Sequence, residues 1–177
     1  MVTIAAKGNG TDFGDPAIGG NYHQNGCSSS VRGLVAGGAG PALTTSIQSI
    51  TMASSGSSEI GGDLTAARNR PAATSTETRA VFYGGATNGN DYSIIDFVSI
   101  ASLGNAQDFG DLVHAHAGTR GSASPTRAIF VRWDVGVATN NIDYVQIMTT
   151  GNAVDFGDQD PGLAIGANFS NGHGGLG

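Results

Sequence analysis

Apolar residues alternate along four short segments of the chain, and each segment predicts a β-strand. The fullest versions are "SIIDFVSIAS", with Val98 and Ile100, and "NIDYVQIMTT", with Val145 and Ile147. Residues at positions i and i+2 of a strand share one face, so each pair predicts a strand with one buried face. Two further pairs, 48 and 96 residues upstream of Val98 and Ile100, are Ile50 with Met52 and Val2 with Ile4.

A second kind of strand begins at an arginine. Arg32, Arg79 and Arg127 open the segments "RGLVAGG", "RAVFYGG" and "RAIFVRW", at separations of 47 and 48 residues. A continuous apolar run of this length is typical of a strand buried on both faces. A fourth version, "NGHGGLG", ends the sequence with Gly174 at the position of the arginine.

A third marker is the motif DFGD, which occurs three times, with a weaker copy "EIGGDL". An Asp side chain can accept a hydrogen bond from the backbone two residues on, and Gly permits a positive φ, so we predict a structural turn. A calcium loop remains open, although two carboxylates must be completed to six to eight oxygens. A kinase is excluded, because the chain has a single lysine and no H-R-D motif. The predicted turn residues are Asp12, Phe13, Gly14, Asp15, Asp63, Asp108, Phe109, Gly110, Asp111, Asp155, Phe156, Gly157 and Asp158.

Each marker occurs four times, so the chain consists of four copies of a unit of about 47 residues. We expect one all-β domain over 1–177, with units at roughly 2–38, 46–85, 94–133 and 141–177. Pairing of Val2–Ala5 with Gly174–Leu176 would close these units into a small β-propeller, which removes open sheet edges. An open solenoid and a fibre that completes its core in an oligomer remain alternatives.

Composition narrows the function. Charged residues are 12% of the chain, the net charge is −6, and there is no basic cluster, which argues against nucleic-acid binding. No apolar run approaches the ~20 residues that cross a bilayer. The N-terminal "MVTIAAKGNG" lacks the layout of a signal peptide. We therefore expect synthesis in the cytoplasm and no insertion into a membrane.

Candidate chemistry is sparse, and we expect no cofactor. His114 and His116 would share one face of a strand and are weak metal candidates. The single cysteine, Cys27, is expected to be a packed residue and not a nucleophile. The repeated arginines should bridge neighbouring units by donating to turn carbonyls or to a DFGD carboxylate. A ring of arginines around an anionic glycan is the alternative.

The repeat resembles kelch-type propellers. "AVFYGG" and "LVAGG" look like the double-glycine strand of those proteins, "IIDFVSI" and "IDYVQI" like the next strand, and "DLTAAR" like the Arg-ended turn. Arg132 and Trp133 replace the double glycine in the third copy, and kelch propellers usually have more than four blades. Copper oxidases on such propellers need a Tyr–Cys pair and His ligands. Tyr22, His23 and Cys27 are the one such cluster in the sequence.

A closer resemblance is to repeat proteins of tailed phages. Their units look like "I-D-Y-x-x-I-x-x-x-G-N-A-x-D-F-G-D-L…R…S-x-x-T-R-A-x-F-x-G-G", and residues 2–177 fit this pattern, including "SNGHGGLG" at 170–177. The resemblance implies a non-enzymatic virion protein of the tail, fibre or capsid surface. Its partners would be further copies of itself, other virion proteins and a host surface glycan. A lectin-like propeller and a kelch-type copper oxidase are the alternatives.

Overall fold

The computed structural model describes residues 8–132 and 140–159. The described residues form twelve short strands and no helix, which confirms the all-β prediction. The strands are β1 (Asn25–Ser28), β2 (Arg32–Ala36), β3 (Ser46–Thr51), β4 (Glu59–Asp63), β5 (Ala72–Ser75), β6 (Arg79–Tyr83), β7 (Ile94–Ser99), β8 (Gln107–Asp111), β9 (Arg120–Ala123), β10 (Arg127–Val131), β11 (Asn141–Gln146) and β12 (Val154–Asp158).

The strands form three antiparallel sheets of the same design. Sheet 1 contains β1–β4, sheet 2 contains β5–β8 and sheet 3 contains β9–β12, each as a simple meander. Every sheet has a short first strand, then the arginine strand, the alternating strand and the DFGD strand. Among the described residues no sheet closes on itself. Val2–Ala5 and Gly174–Leu176 lie outside the described residues, so their pairing stays a prediction.

Two segments between the sheets, "DLTAAR" and "DLVHAH", lie outside the strands, because the first strands of sheets 2 and 3 begin later, at Ala72 and Arg120. The physical reason is visible in sheet 2. Thr65 and Arg68 are hydrogen-bonded to the carboxylate of Asp96, so side-chain contacts hold this segment where a strand would use a backbone ladder.

The three sheets pack face to face, with the core between them. In β6, Ala80 and Phe82 join a cluster with Leu34 of sheet 1, whereas Val81 and Tyr83 join a second cluster with sheet 3. All four of these β6 residues are completely buried. The continuous apolar run after Arg79 therefore forms a strand covered on both faces, as predicted.

The double glycine after β6 allows the next unit to approach closely. Gly84 and Gly85 have φ values of 60° and 103°. A Cβ on Gly84 would lie 2.5 Å from the carbonyl oxygen of His116, and the N–H of Gly85 donates to that oxygen at 3.0 Å. Glycine is needed here for both conformation and space.

Candidate functional site

The DFGD motif forms a strand with a bulge, so the prediction of a turn is wrong for the second and third full copies. In β8, Ile95 pairs with Gly110 and Asp96 pairs with Asp108, which leaves Phe109 as an extra residue. The expected local bond is present, because Asp108 Oδ1 accepts from the N–H of Gly110 at 3.1 Å. A bulge accommodates this bond without ending the ladder. The same bond joins Gly14 to Asp12 and Gly157 to Asp155, at 3.0 and 2.9 Å.

The outer edge of each DFGD segment binds the next unit. The N–H groups of Gly151 and Ala153 donate to the carbonyls of Phe109 and Asp111, both at 2.7 Å. Asn152 Oδ1 accepts from the N–H of Asp111 at 3.1 Å. We call this set of contacts the joint. Equivalent backbone bonds link Gly104 and Ala106 to Gly61 and Asp63, and Gly56 and Ser58 to Phe13 and Asp15.

Glycine in DFGD is required by the joint. Gly110 has a φ of 143°. A Cβ at this position would lie 2.6 Å from both the carbonyl carbon and the oxygen of Gly151. The two backbones therefore meet where no side chain fits, which combines a conformational and a steric requirement.

The weaker copy, "EIGGDL", also forms the joint, although it has glycine where the full copies have phenylalanine. The neighbouring unit supplies the large side chain instead. Phe109 is 2% exposed and belongs to the core between sheets 2 and 3. Gly61 stands at the equivalent position of sheet 1, and a Cβ there would lie 3.3 Å from a methyl carbon of Leu103. Leucine from the neighbouring unit thus occupies space that phenylalanine fills elsewhere. Sequence reasoning missed this exchange.

Two of the repeated arginines bridge neighbouring sheets. Arg32 Nη1 donates to the carbonyls of Ile100 and Ala101, and Arg79 Nη1 donates to the carbonyl of Ile147 at 3.0 Å. The guanidinium of Arg79 also lies over the ring of Phe97, 4.4 Å from its centre. These arginines bind turn carbonyls and not the DFGD carboxylates.

Arg127 has no such bridge among the described residues. Its guanidinium lies 4.7 Å from the ring centre of Tyr144 and 5.9 Å from that of Phe156. It stands on β10 of sheet 3, the sheet without a described neighbour on its far side.

A buried polar clamp reinforces the contact between sheets 1 and 2. The carboxylate of Asp96 accepts from the N–H and hydroxyl of Thr65, at 3.1 and 2.6 Å, and from Arg68 Nη2 at 2.9 Å. Asp96 and Arg68 are both completely buried. Burial lowers the pKa of Arg68, and the charge of Asp96 opposes that shift.

The clamp varies between units. Asp143, which occupies the position of Asp96 in sheet 3, accepts from the N–H of Val113 at 3.3 Å, and burial raises the pKa of its carboxyl. In sheet 1, Gln48 Oε1 accepts from the N–H of Ile18 at 3.1 Å. The signal in the sequence was a polar residue inside an apolar strand, recurring at the repeat spacing.

The remaining predicted site residues are separated. His114 and His116 are not on a strand; His114 is exposed and His116 is buried. Cys27 is half-buried against the core between sheets 1 and 2, and burial raises the pKa of its thiol to about 12. The rings of Tyr22 and His23 meet edge to face at 4.9 Å. Over 8–132 and 140–159, no three His, Cys, Asp or Glu side chains lie together as a metal site would need.

Each end of the stack carries one half of the joint, and no described residue supplies the matching half. Val154 and Phe156 of β12 are each 53% exposed, whereas Phe109 in the equivalent place is buried. A Cβ on Gly157 would meet no atom of the described residues within 4 Å, and the same holds for Gly8 at the other end. Gly8 opens "GNGTDFGD", as Gly151 opens "GNAVDFGD". One end thus presents acceptors, and the other presents the matching donors.

Comparisons with known proteins give no further identification. No protein family and no curated protein matches the chain. No helix long and apolar enough to cross a membrane occurs in the described part of the chain.

Proposed function

We propose that the protein is a non-enzymatic structural or adhesion component of a phage virion that assembles with copies of itself through the joint. The observation that carries the proposal is the exposed β12 edge. Phe156 is half exposed where its counterpart Phe109 is buried, so the surface that binds a next unit is present and none of the described residues covers it as the next unit covers Phe109. The phage-like repeat pattern of 2–177 supports a place in the tail, the fibre or the capsid surface.

The joint suits assembly because both of its sides are backbone edges of fixed shape. Three copies of it within the chain have the same donors and acceptors, at 2.7–2.9 Å. Repetition lets weak contacts add through multivalency, which favours an ordered array over a single pair. A contact between two different surfaces of the same molecule propagates as a filament or closes as a ring.

The alternative is that the donor half and the acceptor half of the joint bind each other within one chain and close it into a ring. The four-unit propeller would place Gly8 against Phe156 of the same molecule. Among the described residues, no backbone hydrogen bond joins Gly8 to β12. We therefore propose contact between copies as the main assembly and keep the intramolecular ring as the alternative that the experiment must separate.

Gly157→Val tests the assembly. The side chain would enter the space that Gly151 occupies at Gly110, so we expect the variant to remain a single chain under conditions where the wild-type protein forms oligomers in mass photometry. Gly89→Val is the matched control, because Gly89 also has a positive φ of 112° and open space around it but lies away from the joint. Equal assembly of both variants would contradict the proposal.

Two further measurements separate the alternatives. In a Cys27→Ser background, Asn9→Cys with Asp158→Cys should cross-link between molecules, whereas a cross-link confined to single chains would indicate the closed ring. Immunogold labelling of purified phage particles should place the protein on the virion. Particles without label, or turnover of a sugar or an oxidase substrate by the purified protein, would refute the structural role.

A further inference from the structure

A separate feature lies at the opposite edge of the sheets, in the turn before each first strand. His23, Arg70 and Gly118 occupy equivalent positions in the three units. They are joined in series, because Gly118 N–H donates to the carbonyl of Arg70 at 3.1 Å and Arg70 N–H donates to that of His23 at 2.9 Å. The three turns therefore stand in one row across the stack.

All three residues have left-handed backbone, which favours glycine. Their φ values are 59° for His23, 50° for Arg70 and 75° for Gly118. Of these three units only the third uses glycine, so the other two keep a large nitrogen-bearing side chain in a strained conformation. Strain of this kind persists where the surroundings fix it and is frequent at ligand sites.

His23 and Arg70 face a cleft of about 540 Å³ that is rich in cationic groups. Arg70 and Arg120 line it, together with His23, and none of the described residues of its wall is Asp or Glu. Arg120 Nη1 donates to the carbonyls of Gly118 and Thr119, at 2.8 and 3.1 Å, which fixes its guanidinium at the rim. The guanidinium of Arg70 makes no ion pair or hydrogen bond with the described residues. The chain as a whole has a net charge of −6, so the described wall of this cleft has a charge opposite to that of the whole molecule.

We infer that this cleft binds an acidic saccharide. Guanidinium groups pair with carboxylate and sulfate oxygens in a planar, bidentate manner, so Arg70 and Arg120 would hold the anionic group. Gln24 and Asn25 also line the cleft. Gln24 Nε2 already donates to the carbonyl of Gly37, and Asn25 Oδ1 already accepts from the N–H of Gly26, so the Gln24 oxygen and the Asn25 amide nitrogen are the groups that can bind sugar hydroxyls. The volume falls within the usual range of small-molecule sites and exceeds what an inorganic anion fills. This inference uses none of the joint residues, so it holds or fails independently of self-assembly.

The test titrates the full chain with glucuronic acid and glucose 6-sulfate by calorimetry, with glucose and inorganic phosphate as controls. We expect both acidic sugars to bind at least about tenfold more tightly than either control, since one charge-assisted pair is worth about that factor. Phosphate binding as tightly as the acidic sugars would overturn the saccharide assignment. Glucose binding equally well would overturn the role of the charge.

Arg70→Gly separates a binding role from a structural one. Glycine adopts the same φ without strain, so we expect the variant to lose about tenfold or more in affinity while its unfolding temperature stays the same or rises. Arg120→Gln should weaken binding similarly. Arg127→Gln changes the net charge equally but lies on β10, outside the cleft, and should keep wild-type affinity. Loss of binding in Arg127→Gln equal to that in Arg70→Gly, or unchanged binding in Arg70→Gly, would refute the site.

Discussion

Gly110→Ala should destabilise the protein strongly, because the alanine side chain would strike the backbone of the next unit. Its Cβ would lie 2.6 Å from the carbonyl group of Gly151 and 2.9 Å from the nitrogen of Asn152. Relief of this overlap requires the two backbones to separate. That separation breaks the bonds from Gly151 to Phe109 and from Ala153 to Asp111.

The expected cost has two parts. A non-glycine residue at a φ of 143° costs about 1–3 kcal/mol. Loss of two backbone hydrogen bonds adds about 1–3 kcal/mol. We therefore expect Gly110→Ala to lower the free energy of unfolding by about 2–6 kcal/mol.

Gly157→Ala supplies the control, since Gly157 stands in the same motif with a φ of 132° and has no described atom within 4 Å of a Cβ at its position. It should bear only the conformational cost of about 1–3 kcal/mol. Urea unfolding followed by circular dichroism, at a concentration too low for assembly, measures both changes. Equal costs would refute the argument and would indicate that a further unit of the same chain covers β12.

Two other variants test the buried clamp. Arg68→Met should lower the free energy of unfolding by about 3–5 kcal/mol, because it leaves Asp96 charged, buried and without its counterion; an unchanged midpoint in chemical unfolding would contradict the ion pair. Burial raises the pKa of Asp143, so its contribution to stability is fully present at acid pH and is lost as the pH rises through the folded pKa. Asp143→Asn should therefore raise the thermal midpoint at neutral pH and flatten its dependence on pH, and a steeper dependence would contradict the shift.

The sequence alone identified the repeat and two strands of each unit. The alternation at Val98 and Ile100 and the apolar run after Arg79 are local patterns. The structure places Val98 on β7, with Ile100 directly after that strand, and the apolar run on β6. Local patterns suffice here because the face that a strand buries is set by the alternation of its own side chains. The hydrogen bond between Asp108 and Gly110, two residues apart, was predictable for the same reason.

The tertiary structure determined how neighbouring repeats contact one another. Whether DFGD ends a strand or forms a bulge depends on Gly151 and Ala153, which lie about one repeat further along the chain. The burial of Asp96 depends on Arg68, and the cationic cleft depends on Arg70 and Arg120 from two different units. These contacts join residues that are far apart in the chain, and their geometry is set by how the sheets pack. Periodicity in the sequence shows that the units are equivalent, but only the packing of sheets determines which surfaces are covered and which remain available for binding.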